Sequence, residues 1–228
     1  MQVEDKASYL PEIFGLEVCS GRGNLSGAIS DIVGYMATFE VLNAPEEDLL
    51  KISGVKLMLT LLLRSMKGGL LWMGPPCSSW ITISRSWHKR AEWRPAGPSK
   101  CSPRLRSYLD KNNTIAEIVA LTIRTATVLN IMYIIEQPAS SLLWKYLAML
   151  RALAATRAET ISMHMSSFCG ASPKPLNLKT TAPFMQEFQK LDRKRKKSSN
   201  QTHERLATTS TKAGNRVHSE GGHAEEQQ

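Results

Sequence analysis

The chain has 228 residues, 42% of them apolar and 21% charged, a composition that supports one sizeable core and excludes wholesale disorder. The first ten residues carry Glu4, Asp5 and Lys6 with no apolar stretch, so no signal peptide is expected. Lys56, Arg64 and Lys67 interrupt one of the two most apolar runs, and Glu117 and Arg124 the other, so no membrane span is expected.

Phe14 to Val18 reads as a strand that runs into Cys19, Ser20, Gly21, Arg22 and Gly23. A helix capped by Asn24 is expected to Val33, then a strand from Tyr35 ending near Glu40. Pro45 to Ile52 reads as an acidic helix or loop. Val55 to Met66 reads as a helix closed by Gly68 and Gly69, and Leu70 to Met73 as a buried strand leading to Gly74, Pro75, Pro76 and Cys77. Ile81 to Arg106 holds three prolines and no clean period, the pattern of a loop or insertion. Thr114 and Glu117 have capping-box spacing for a helix to Leu129. Ile131 to Ile135 follows as a strand leading to Glu136, Gln137 and Pro138. A helix with Leu143, Leu147, Leu150 and Ala154 on one face comes next, then weaker strands at Thr160 to Met165 and Leu176 to Lys179. Strands alternating with helices predict an α/β fold with a mostly parallel central sheet. The expected organisation is an N-terminal extension (1–12), one α/β domain (13–189) with a basic insertion at 81–106, and a basic, disordered tail (190–228).

The formal charge of +9 is unevenly placed. Ser84 to Arg106 holds seven basic residues against one acid, Glu92, and Lys190 to Gln228 holds nine against five. Trp80, Trp87 and Trp93 lie in or just before the first of these segments. Rings among bases suit stacking on nucleobases beside phosphate contacts, so nucleic acid is the expected partner. His88 reads as a surface residue. The run Arg193 to Lys197 has the composition of a nuclear-import signal or a nucleic-acid-binding tail. Nuclear localisation is the expectation, with the cytoplasm as the alternative. Cysteines at 19, 77, 101 and 169 show neither metal-ligand nor disulfide spacing, so no metal site is expected and free thiols are.

In an open parallel sheet, ligands bind beyond the carboxyl ends of the strands. Gly21 and Gly23, Glu40, Cys77 and Glu136 all fall at such ends. The glycine turn lets a ligand approach the backbone, and Glu40, nineteen residues after Gly21, is spaced to accept ribose hydroxyls. With Ser26 at the third glycine position, these residues alone also fit a nicotinamide-binding Rossmann oxidoreductase. The Pro-Pro pair stiffens the approach to Cys77, a candidate nucleophile.

Taken together these motifs resemble the cytosine-5 methyltransferase family. Glu17 to Gly23 is similar to its methyl-donor loop, Glu40 to its ribose-binding acid, Pro75-Pro76-Cys77 to its Pro-Cys nucleophile motif and Glu136 to its Glu-Asn-Val glutamate. More loosely, Phe168 to Pro175 looks like a later family segment, with Lys174 near an arginine position. The resemblance implies a Rossmann-like S-adenosylmethionine-dependent methyltransferase fold and methyl transfer to carbon 5 of cytosine in nucleic acid, with DNA ranked ahead of RNA as the substrate and both left open. It implies Cys77 and Glu136 as catalytic residues, with Cys19, Gly21, Gly23, Glu40 and Pro75 on S-adenosylmethionine. Ser78, Arg85, Lys89, Arg90, Arg94 and Lys174 would face nucleic acid, the basic segment standing where the family has a mobile catalytic loop. The chain departs from the family at Cys19 (an aromatic there), at Ser78 (Gln) and at Gln137-Pro138 (Asn-Val). After about Leu191 nothing resembles a target-recognition domain, which leaves two further readings: a separate target-recognition partner, or a silent relative that binds nucleic acid or a partner.

Overall fold

The computed structural model describes residues 13–164, 166 and 174–192. Strands β1 (Ile13–Val18), β2 (Met36–Phe39), β3 (Ser65–Met73), β4 (Met132–Pro138), β5 (Glu159–His164) and β6 (Pro175–Thr180) form one sheet in the order β2-β1-β3-β4-β6-β5. The first four run parallel, while β6 lies antiparallel between β4 and β5. The helices are α1 (Asn24–Ser30), α2 (Ile52–Leu63), α3 (Arg85–His88), α4 (Pro103–Val128), α5 (Leu147–Ala155) and α6 at 185–192. The described residues thus form an α/β fold with a mixed, mostly parallel sheet, and none of their helices is long and apolar enough to cross a membrane.

Strand pleating sends alternate side chains to opposite faces, and both faces of the central strands are apolar. Leu71, Met73, Tyr133 and Ile135 join Met58 of α2, Val119 and Ile123 of α4 and Met149 of α5 in the larger core. Leu70, Trp72, Met132 and Ile134 turn the other way and meet Ile29 of α1 and Met185 of α6. That second face is less fully covered: an apolar cleft of about 500 Å³, lined in part by Phe14, Trp72, Phe184 and Phe188, runs along it.

Several expected boundaries move, each for a local reason. Gly23, at φ 68°, is the residue that caps α1, and Asn24 is already helical; α1 ends at Ser30 rather than Val33. Gly68 and Gly69 do not close α2. They belong to β3, whose register against β1 shifts between Ile13 and Gly15. A Cβ on Gly69 would stand 2.0 Å from the Phe14 carbonyl oxygen, so the close approach of β1 requires glycine there. The Thr114/Glu117 spacing caps nothing. The helix begins eleven residues earlier at Pro103, where Ser102 Oγ accepts the Leu105 N–H at 3.3 Å, and Glu117 instead accepts the Tyr146 hydroxyl. Leu147 and Leu150 are exposed, the buried side of α5 being Met149 and Ala152. Helix α6 extends past the expected start of the tail at 190. Phe168, Cys169 and the Arg193 to Lys197 run lie outside the described residues.

Candidate active site

Parallel register sets the site. Val18 aligns with Phe39 of β2 and with Met73 of β3, and Met73 aligns with Ile135 of β4. Cys19 to Gly23, Glu40, Gly74 to Cys77 and Glu136 therefore share one carboxyl edge of the sheet, where open α/β sheets bind ligands.

On the β1–β2 side the glycine turn is held to Glu40. The Gly21 N–H donates to Glu40 Oε2 at 3.0 Å, the Leu42 N–H to Oε1 at 3.1 Å, and Asn43 Nδ2 to the Gly21 carbonyl at 3.1 Å. Each Glu40 oxygen keeps a second lone pair for another donor. Gly21 has φ +56°, and a Cβ there would meet nothing within 4 Å, so its backbone faces open space. Ser20 Oγ is buried with no partner among the described residues. A cleft of about 170 Å³ adjoins this turn, lined by Cys19, Phe39, Glu40, Val41, Pro76 and Ile115 among others. Burial, with the Glu40 charge adding to it, pushes the Cys19 thiol up to about 12, so Cys19 lines the cleft as a neutral group.

Sequence reading gives Glu17 no role of its own. Its carboxylate is buried and accepts the Ser26 N–H at 2.9 Å and the Ser26 hydroxyl. Gly23 has no side chain to cap α1, so Glu17 satisfies that helix end from β1. A charge inside the apolar run Ile13 to Val18 is the one signal that could have flagged it.

On the β3–β4 side, Cys77 is partly exposed after the two prolines, and its carbonyl accepts the Trp80 N–H at 2.8 Å. Gln137, one of the departures from the family pattern, binds this turn to β4. Buried on the face opposite Glu136, it donates from Nε2 to the Pro75 carbonyl at 2.5 Å and accepts Ser141 Oγ at 3.0 Å. Glu136 is half-buried; burial raises its carboxyl above the usual range, and Lys174 works in the opposite direction.

The basic segment after Cys77 is more ordered than a loop. Arg90 is 1% exposed, which removes it from the set expected to face nucleic acid. Its Nε and Nη2 donate to Ser79 Oγ at 3.1 and 3.0 Å, and Nη1 to Asn113 Oδ1 at 2.8 Å and to the Pro95 carbonyl. The guanidinium also stacks 3.8 Å from the Trp80 ring centroid. Trp80 is buried and is therefore a core ring, not a free stacking surface. His88 is buried as well, against the surface expectation: Nε2 meets the Ile81 carbonyl at 2.9 Å, and Nδ1 accepts the Arg90 N–H at 3.0 Å. Burial lowers its pKa, with Arg90 and Arg85 helping and the Ile81 bond opposing. Ser78, Arg85, Lys89, Arg94 and Lys174 are exposed. Among the described residues no group of three or more His, Cys, Asp or Glu could hold a metal ion.

No family model matches the chain, and no curated protein matches it either.

Proposed function

We propose that this protein transfers a methyl group from S-adenosylmethionine to carbon 5 of cytosine in nucleic acid, through a covalent bond to Cys77. The observation that carries the reading is the shared edge: a Pro-Pro-Cys turn and Glu136 leave adjacent parallel strands, tied together by the Gln137–Pro75 hydrogen bond. The strand order with its reversed β6 is consistent with a methyltransferase-like fold.

The residues around Gly21 fit part of such a donor. The unpartnered Ser20 hydroxyl, the open backbone of Gly21 and the spare Glu40 lone pairs suit a ribose and its substituents. At about 170 Å³ the adjoining cleft is smaller than the usual small-molecule pocket of roughly 300–1,000 Å³, a size for the nucleoside end alone. When bound, the donor supplies an electrophilic methyl group.

The remaining steps belong to side chains. The Cys77 thiolate adds to cytosine carbon 6, which makes carbon 5 nucleophilic. Glu136, whose raised pKa favours the protonated carboxyl, donates to N3 and balances the electron density that gathers on the ring. Carbon 5 takes the methyl group, a base removes the carbon 5 proton, and the electron pair returns to expel Cys77. A target base must leave its stack to reach this edge.

The test is transfer of a labelled methyl group to cytosine-containing DNA and RNA. Wild type labels cytosine in DNA, and Cys77→Ser loses the label completely. Equal labelling by Cys77→Ser would overturn the reading, as would absence of labelling on both polymers by folded protein. The second result would favour the silent, nucleic-acid-binding alternative.

A further inference from the structure

Three tryptophans flank the basic segment, and the structure divides them. Trp80 is core, and Trp87 is half-covered, with its ring against Tyr108 and Arg104. Trp93 is 84% exposed. It sits at the tip of a two-residue turn closed by reciprocal backbone bonds, Ala91 N–H to the Arg94 carbonyl at 3.3 Å and Arg94 N–H to the Ala91 carbonyl at 2.9 Å.

Arg90 grips both legs of this turn. It immediately precedes Ala91, and its Nη1 donates to the carbonyl of Pro95, the residue after Arg94. Asn113 of α4, which accepts from the same Nη1, also donates to the Ala96 carbonyl at 3.1 Å. A large apolar ring is thus held out in water on a fixed support. Arg94 follows it, Lys89 and Arg85 precede it on the same segment, and Glu92 is the one acid beside it; all four are exposed, and none of the three cations joins an ion pair among the described residues. Ile83, also after Cys77, is 90% exposed.

We propose that Trp93 is a stacking platform for an unpaired nucleobase of single-stranded nucleic acid, held rigid by Arg90 instead of closing as a mobile lid. A flat exposed ring on a segment with three unpaired cations and one acid matches a polymer of flat rings and phosphates. Because the turn is already ordered, little conformational entropy is lost on binding. The support also reaches the candidate nucleophile: Arg90 stacks on Trp80, whose N–H bonds to the Cys77 carbonyl. A base on Trp93 would therefore hold the strand at a fixed offset from Cys77. The proposal rests on nucleic acid being the substrate class, and it deepens that part of the reading.

The experiment measures equilibrium binding of the full chain to labelled oligo-deoxycytidine and oligo-cytidine of about twelve nucleotides, with heparin as a polyanion that has no bases. Trp93→Ala is expected to weaken oligonucleotide binding roughly tenfold and leave heparin binding unchanged, while Trp93→Phe restores most of the loss. The DNA and RNA arms identify the preferred strand. Unchanged oligonucleotide binding by Trp93→Ala overturns the proposal, and so does an equal loss on heparin. Because the side chain is exposed, thermal melting of Trp93→Ala should match wild type. A methyl-transfer failure with Trp93-dependent binding intact would strike the enzymatic reading alone; methyl transfer with Trp93-independent binding would strike the stacking alone.

Discussion

At the residue scale, Glu136 carries the clearest consequence. Burial holds its carboxyl above the usual range, so the folded chain keeps this proton to higher pH than the unfolded chain does. The stability it contributes is complete below about pH 4 and is lost as pH rises through the raised value. Glu136→Gln removes that titration. The melting temperature of the variant relative to wild type should therefore climb as pH rises above about 4; a constant difference would show that Glu136 titrates as it does in the unfolded chain. Cys77 and Glu136 could be picked out from sequence because each follows an apolar strand run, Cys77 after a Pro-Pro pair, so both fall at expected carboxyl ends of strands. Gln137 could not. Its role depends on Pro75, sixty-two positions away in sequence, and no local pattern encodes such a pair. The same holds for Glu17, whose capping of α1 appears only once β1 and α1 are packed together.

At the element scale, the central strands are the readable part, since their apolar runs bury on both faces and stop at polar residues. Helix ends were harder. Thr114 and Glu117 have the right spacing for a cap, but the polar stretch before them is helical because Ser102 and Pro103 start the helix first. The segment from 81 to 98 misled more seriously, because its bases and prolines look solvated while Arg90 is a buried node. A guanidinium with Ser79, Asn113 and Pro95 as partners has no sequence signature beyond its charge. Burial lowers the Arg90 pKa to about 10, which still leaves it charged at neutral pH. Arg90→Met would leave Ser79 Oγ, Asn113 Oδ1 and the Pro95 carbonyl without this donor, for a loss of about 1–3 kcal/mol for each one that stays buried and unpaired. Amide exchange should accelerate at the non-proline residues from Arg85 to Gly97 while the β3 and β4 amides stay protected. Uniform acceleration across the sheet, or none, would show that Arg90 does not anchor this segment.

At the scale of the whole molecule, one sheet edge gathers the residues that the sequence places at the carboxyl ends of its expected strands. Four parallel strands bring together a glycine turn tied to Glu40, a cysteine after two prolines, and a half-buried glutamate. The sheet face away from the larger core adds an apolar cleft with no counterpart in the motifs. Covalent chemistry at Cys77 is the central claim. Cytosine bearing fluorine at carbon 5 cannot lose the group at that position, so a transferring enzyme stays attached. Incubating the protein with S-adenosylmethionine and fluorocytosine-containing DNA or RNA should give a denaturant-stable adduct that requires both the donor and Cys77. Absence of an adduct on either polymer, or an adduct that persists in Cys77→Ser, would contradict the account.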